Sequence, residues 1–218
     1  MNVGISKPSV IVYIDGFNFY RRVVEKTPYK WLDLDLMCQT LLHGFEVVAI
    51  KYFTANVKAT QHNPSQGIRQ QIYFRALRTN PKIKIHFGQF VSIPKNYPVS
   101  PWTYDDGGRP VMRRINFTQE KGSDVNLASH LIFDVLNNEA EAFVVLSNDS
   151  DQVGPLKLLQ SRTNAKLGLI LPQDNPGKEL LGLNLPIVRR IRKGVLQRSQ
   201  FPEVLRDSKG VFSKPNEW

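Results

Sequence analysis

Cysteine is almost missing from this chain. Its 218 residues hold one, Cys38, so an internal disulfide and a thiolate zinc centre are both excluded. That usage suits a reducing compartment. Long apolar runs are missing as well. The first, Val10–Ile14, is stopped by Asp15 and is too short for a signal-peptide core. No later segment approaches the roughly 18 apolar residues that cross a bilayer. The chain therefore reads as soluble and cytoplasmic, with no membrane partner. Histidine is scarce, at four residues. His43, His62 and His86 lack partners at ligand spacing, and His130 falls off the apolar stripe of its helix. None is assigned to catalysis. Repeats and low-complexity tracts are absent.

What is present is enough for a core: 41% hydrophobic residues, with 12 Phe, 7 Tyr and 3 Trp. Basic residues outnumber acidic ones by 29 to 19, a net +10. Such a field attracts polyanions, of which nucleic acid is the commonest.

Short apolar runs alternate with longer helical periodicities, the pattern of a parallel sheet covered by helices. The runs predict strands at Val10–Ile14, Val47–Phe53, Ile83–Phe87, Ala142–Leu146, Leu167–Leu171 and Ile187–Ile191. Helices are expected at Asn18–Glu25, Leu34–Leu42, Pro64–Thr79, Asp124–Leu136 and Asp151–Leu159. Pro64 is placed in a first helical turn, and Asp124 and Asp151 at N-caps. In the fourth helix, Val125, Ala128, Ile132 and Val135 make the buried stripe. Residues 91–118, with Pro94, Pro98, Pro101, Gly107, Gly108 and Pro110, read as an irregular excursion with Val111–Phe117 as a returning strand. From Gly194 onward, Phe201, Phe212 and Trp218 suggest an arm that packs back.

In such a sheet, ligands sit beyond the carboxyl ends of the strands. Asp15 ends the first strand in IDGFN, Asp149 and Asp151 end the fourth in LSNDSD, and Asp124 opens the strongest helix. All four are expected at one edge. Crowded carboxylates repel one another, and a hard cation such as Mg²⁺ or Mn²⁺ removes that conflict. It also neutralises a phosphoryl group under attack. Taken singly, Asp15 before Gly16 is a turn former, and Asp124 and Asp151 are caps. The combination is more specific than its parts. Asn18 adds an amide one turn beyond Asp15.

IDGFN, then KGSDVNLASHLIFDVL, then VVLSNDSD, in that order, resemble the NYN-domain branch of the PIN-like metal-dependent ribonucleases. The resemblance runs from about Val10 to Arg192. It implies a Rossmann-like, PIN-like three-layer α/β sandwich with a mostly parallel central sheet. A nuclease domain would fill residues 1–193, with an arm at 194–218. It also implies an acidic metal site that hydrolyses RNA, built from Asp15, Asn18, Asp124, Asp149 and Asp151. Asn148 stands where such proteins usually have glycine, and asparagine tolerates unusual backbone angles.

Ser147, Ser150 and Lys121 are supporting residues or simply turn and surface groups. Asp134, ten residues beyond Asp124, lies about 15 Å along the helix and reads as structural or surface. Three basic groups offer tracks for single-stranded RNA: Arg69, Arg75 and Arg78; Arg109, Arg113 and Arg114; and Arg189, Arg190, Arg192 and Lys193. Tyr97, Trp102 and Tyr104 add stacking surfaces to the second. The leading expectation is a metal-dependent endoribonuclease. A non-catalytic RNA-binding module with a relic site is the alternative. Haloacid-dehalogenase-like phosphatases want a second Asp where Phe17 stands. Nothing in the sequence sets an oligomeric state.

Overall fold

The structure, a computed structural model, describes residues 6–172 and 177–218. Its centre is a sheet of six strands, all parallel, in the order β3-β2-β1-β6-β7-β8. These are β1 (Ser9–Asp15), β2 (Glu46–Thr54), β3 (Ile83–Phe87), β6 (Ala142–Leu146), β7 (Lys166–Leu171) and β8 (Ile187–Arg190). β1 and β6 are buried along almost their whole length, which is why they read as unbroken apolar runs. Period-two alternation sends Val10, Val12 and Ile14 to one face and Ile11 and Tyr13 to the other.

Each face carries its own helices. On the first, the core holds residues of α2 (Leu34–Leu41), α3 (Gln66–Leu77) and α7 (Lys193–Arg198). On the second lie α4 (Ser123–Leu136), α5 (Val153–Arg162) and α6 (Lys178–Leu181). The result is the three-layer α/β sandwich expected. Between β1 and α2, the chain forms α1 (Gly16–Phe19) and a wider π-helical turn at Tyr20–Val24.

Several local expectations are corrected. α3 starts at Gln66 after Ser65, so Pro64 lies before the helix. Gly122 occupies the N-cap of α4 with φ 99°, a left-handed conformation suited to glycine. Asp124 lies inside the first turn. The buried stripe of α4 is Leu127, Leu131, Asp134 and Val135, while Val125 is 68% exposed. Both sets have helical spacing, and the partner across the interface decides between them: Asp134 accepts hydrogen bonds from Tyr13 Oη and Lys51 Nζ, each at 2.5 Å.

Residues 91–118 are only partly irregular: residues 99–111 form a loop between two regular strands. β4 (Gln89–Pro98) and β5 (Met112–Lys121) pair antiparallel over ten positions, and the returning strand is longer than expected. Pro94 and Pro98 sit in a ribbon that belongs to no larger sheet, where a missing N–H costs little, and Pro101 and Pro110 lie in the loop at its tip. Beyond α7, β9 (Val204–Asp207) and β10 (Gly210–Ser213) form a hairpin. Trp31 donates its indole N–H to Pro202 O at 2.8 Å and meets Phe201 and Trp218 edge-on, at 5.7 and 6.4 Å.

His130 lies off the buried stripe of α4, as expected. His86 and His130 meet with ring centroids 4.2 Å apart, His86 stacked on Phe53. Burial, helped by His130, holds His86 down at about 4.

Removing Asp134 would strand the Lys51 ammonium, whose side chain is 14% exposed. Asp134→Ala should cost about 3–5 kcal/mol, the range for breaking a buried pair. Urea unfolding measures this, and a loss below about 1 kcal/mol would show the pair to be dispensable.

Candidate metal centre

The strand order reverses at β1, between β2 on one side and β6 on the other. Such a switch point opens a crevice at the carboxyl ends of the strands. Asp15 ends β1, Asp149 follows β6, and α4 brings Asp124 from the same side. Asp15, Asp124 and Asp149 each offer an oxygen there, all within 4.8 Å of one another. Asp15 is buried, and the other two are half-buried.

Local chemistry fixes each group. Asp15 Oδ1 accepts the Asn18 N–H at 2.9 Å, capping α1, and Oδ2 accepts from Ser147 Oγ at 2.9 Å. Gly16 is needed by packing, since a β-carbon there would lie 2.6 Å from Phe53 O. Ser147, fully buried, also accepts the Asp149 N–H at 3.0 Å. Asp149 Oδ1 in turn accepts the Asp151 N–H at 3.1 Å. Asp149, not Asp151, thus caps the short 3₁₀ turn Ser150–Gln152. Asn18 Oδ1 accepts the Asn148 N–H at 3.1 Å. Asn148 has no positive φ; its side chain instead accepts the Gly177 N–H at 2.8 Å.

Not every expected residue joins the trio. Asp151 is exposed and lies outside it, although its charge contributes to raising Asp124. Ser150 and Lys121 are exposed. Arg189 donates to Leu41 O at 3.1 Å and to Val188 O at 3.0 Å, which ties it to the main chain. Arg190 has a partner in the structure. In the third-helix group, Arg75 forks onto Asp207 with both bonds at 2.7 Å, and Arg69 bonds Ser65, Asn63 and Glu217.

Other residues were missed by sequence reasoning. Glu120 accepts from Ser123 N and Oγ at 3.1 and 2.8 Å, supplying the cap that Gly122 lacks. Arg21 and Arg22 line the acidic crevice, about 390 Å³ in volume, with Asn18 and the three aspartates. Their signal was their spacing, three and four residues beyond Asn18, which shares a helix face.

The donor set suits a hard divalent cation: three carboxylates, no sulfur and no imidazole. Metal-free, the carboxylates disturb one another. Burial, then the charges of Asp15 and Asp149, push Asp124 up to about 6. Burial also raises Asp15, against the hydrogen bonds from Asn18 and Ser147.

Residues 9–181 match the family model of the NYN domain. The chain therefore belongs to the NYN-domain family, a family of PIN-like nucleases. It is 29% identical over 241 residues to the 6-hydroxy-3-succinoylpyridine 3-monooxygenase HspA of Pseudomonas putida (strain DSM 28022 / S16). That alignment covers 95% of this chain and 74% of the relative. It also shares a fold with VPA0982 of Vibrio parahaemolyticus RIMD 2210633, a protein of unknown function. The TM-score is 0.56 at 14% identity, covering 87% of this chain and 96% of that one.

A raised carboxyl pKa means that the folded state binds the proton more tightly than the unfolded chain does. Metal-free stability should therefore fall as pH rises from about 4 to about 6. Mn²⁺ should reverse the fall above that range and do little below it, where protons compete. Melting temperatures with Mn²⁺ and with chelator test this; Asp124→Asn should flatten the metal-free slope and remove the Mn²⁺ shift.

Proposed function

We propose that this protein is an endoribonuclease that hydrolyses RNA phosphodiester bonds with Mg²⁺ or Mn²⁺ held by Asp15, Asp124 and Asp149. The observation that carries it is the convergence of three carboxylates in a crevice also lined by Arg21 and Arg22. Acids to hold a cation and bases to meet phosphate share one wall.

A divalent ion would neutralise charge on the phosphoryl oxygens and make attacking water more acidic. The protein's own groups do the rest. Asn18 and Ser147 hold Asp15 in one orientation, so little reorganises during reaction. Asp149 uses one oxygen for the Asp151 N–H and keeps the other to orient water or take its proton. Arg21 meets a flanking phosphate.

The ribbon extends this crevice. Phe90, Thr118, Gln119 and Glu120, at its base, line the crevice too, and Phe90 meets Phe17 edge-on at 5.6 Å. Register pairs Tyr97 with Arg113, Lys95 with Ile115, and Ile93 with Phe117, so these six side chains share one face. Arg114 pairs with Asn96 on the other face, beside Pro94 and Asn116. Rings among cations suit single-stranded RNA, and the first face has both. Lys95 lies over the Phe117 ring at 5.2 Å, and Tyr97 is 6.0 Å from it.

A second reading, conversion of a small aromatic molecule, is favoured by the relative named as a pyridine monooxygenase. An RNA assay separates the two. Purified protein should cleave labelled single-stranded RNA with Mn²⁺ and not with chelator. Asp15→Asn and Asp149→Asn should lose on the order of a hundredfold or more. Binding without cleavage would instead indicate the non-catalytic module.

The two arginines should behave unequally. Arg113→Ala should weaken RNA binding and reduce the salt slope by about 0.7 for each phosphate it no longer neutralises, while Arg114→Ala should leave both nearly unchanged. Equal effects, measured at matched salt, would remove the one-faced track.

A further inference from the structure

The other side of the Asp15–Gly16–Phe17 turn holds a second cavity that the acidic centre does not use. Its volume is about 110 Å³, close to the roughly 150 Å³ that accommodates a benzene ring in an engineered protein cavity. Its walls are flat and aromatic: Phe19, Tyr52, Tyr73, Phe74 and Trp218. Tyr52 and Phe74 meet edge-on at 6.4 Å, and Tyr73 and Trp218 at 5.7 Å. The aromatic walls and this volume suit one planar six-membered ring.

The polar groups are the more telling feature. Buried hydroxyls normally find partners, and the Tyr73 hydroxyl does, donating to Leu32 O at 2.8 Å. Tyr52 and Thr54, 5% and 2% exposed, line the same cavity. Lys30 lines it too, and has no ion-pair partner among the described residues. Arg69 also lines the space but is paired with Glu217 at 3.3 Å, and no acidic side chain among the described residues lines it.

We infer that this cavity binds a small single-ring aromatic carboxylate, with the ring between Tyr52, Phe74 and Trp218 and the carboxylate on Lys30. The Tyr52 and Thr54 hydroxyls meet ring substituents or the carboxylate's second oxygen. An uncharged nucleobase would satisfy the rings and hydroxyls but leave Lys30 without a counter-charge. The assignment rests on the cavity alone and stands apart from the RNA reading, since Phe17 is the only described residue lining both this cavity and the acidic crevice.

Isothermal titration of the full chain tests it, with nicotinate and benzoate as probes. Benzamide removes the charge, cyclohexanecarboxylate removes the flat ring, and uridine monophosphate supplies a pyrimidine. At least one aromatic carboxylate should bind, and both near-analogues should bind about tenfold more weakly or worse. Lys30→Ala should weaken the carboxylates about tenfold and leave benzamide unchanged. Tyr52→Phe, which keeps the ring, should weaken every substituted ring. Circular dichroism and the Mn²⁺-induced rise in melting temperature check that each variant is folded. The assignment is overturned if neither carboxylate binds, if uridine monophosphate binds more tightly than both, or if folded Lys30→Ala binds the carboxylates like the parent.

Discussion

The carboxylate of Asp15 sits where the sheet turns back on itself, taken out of water by the strands on either side. A buried negative charge is tolerated only if donors meet it, and two do, one from the next turn of its own chain and one from Ser147, 132 residues away. Those two bonds join β1 to the loop after β6, and that loop carries Asp149. Aiming one carboxylate therefore fixes the second. The third arrives on α4, whose first turn places a negative side chain at the positive end of the helix dipole. The site is an electrostatic compromise: hydrogen bonds and a helix end offset part of a repulsion that a cation would remove.

Much of this arrangement was legible in the sequence because it depends on period and order. β3 and β6 matched their expected ranges to the residue, and β6, buried at every position, has no other way to read than as an unbroken apolar run. Asp15, Asp124 and Asp149 were legible because parallel strands all end at one edge. Asp151 was not separable from Asp149 by that argument, as both follow the same strand. Only the cap geometry tells them apart: Asp149 takes the N–H, and Asp151 is left facing water.

The misses share a cause. The stripe of α4 was assigned by apolarity, and the structure places a charged residue, Asp134, at its centre because Lys51 and Tyr13 stand opposite. No one-dimensional pattern encodes a partner 83 residues away. The same holds for Glu120, which caps α4 from the preceding strand, and for the arginines of α3. Arg75 looked available for RNA but is committed to Asp207 in the C-terminal hairpin. Proline-rich sequence at 91–118 suggested disorder of geometry, whereas a ribbon outside the main sheet leaves prolines harmless.

That ribbon has a length as well as two faces. Ten paired residues at about 3.4 Å each give a contour near 30 Å, anchored at Gln89 and Lys121 beside the opening of α4. Trp102 and Tyr104, both more than half exposed, lie in the loop at its far end. A ligand gripped there would be held at a set span from the three aspartates, as if by a measuring arm. Shortening it by pairs of residues would move the gripping point inward without altering the carboxylates at all.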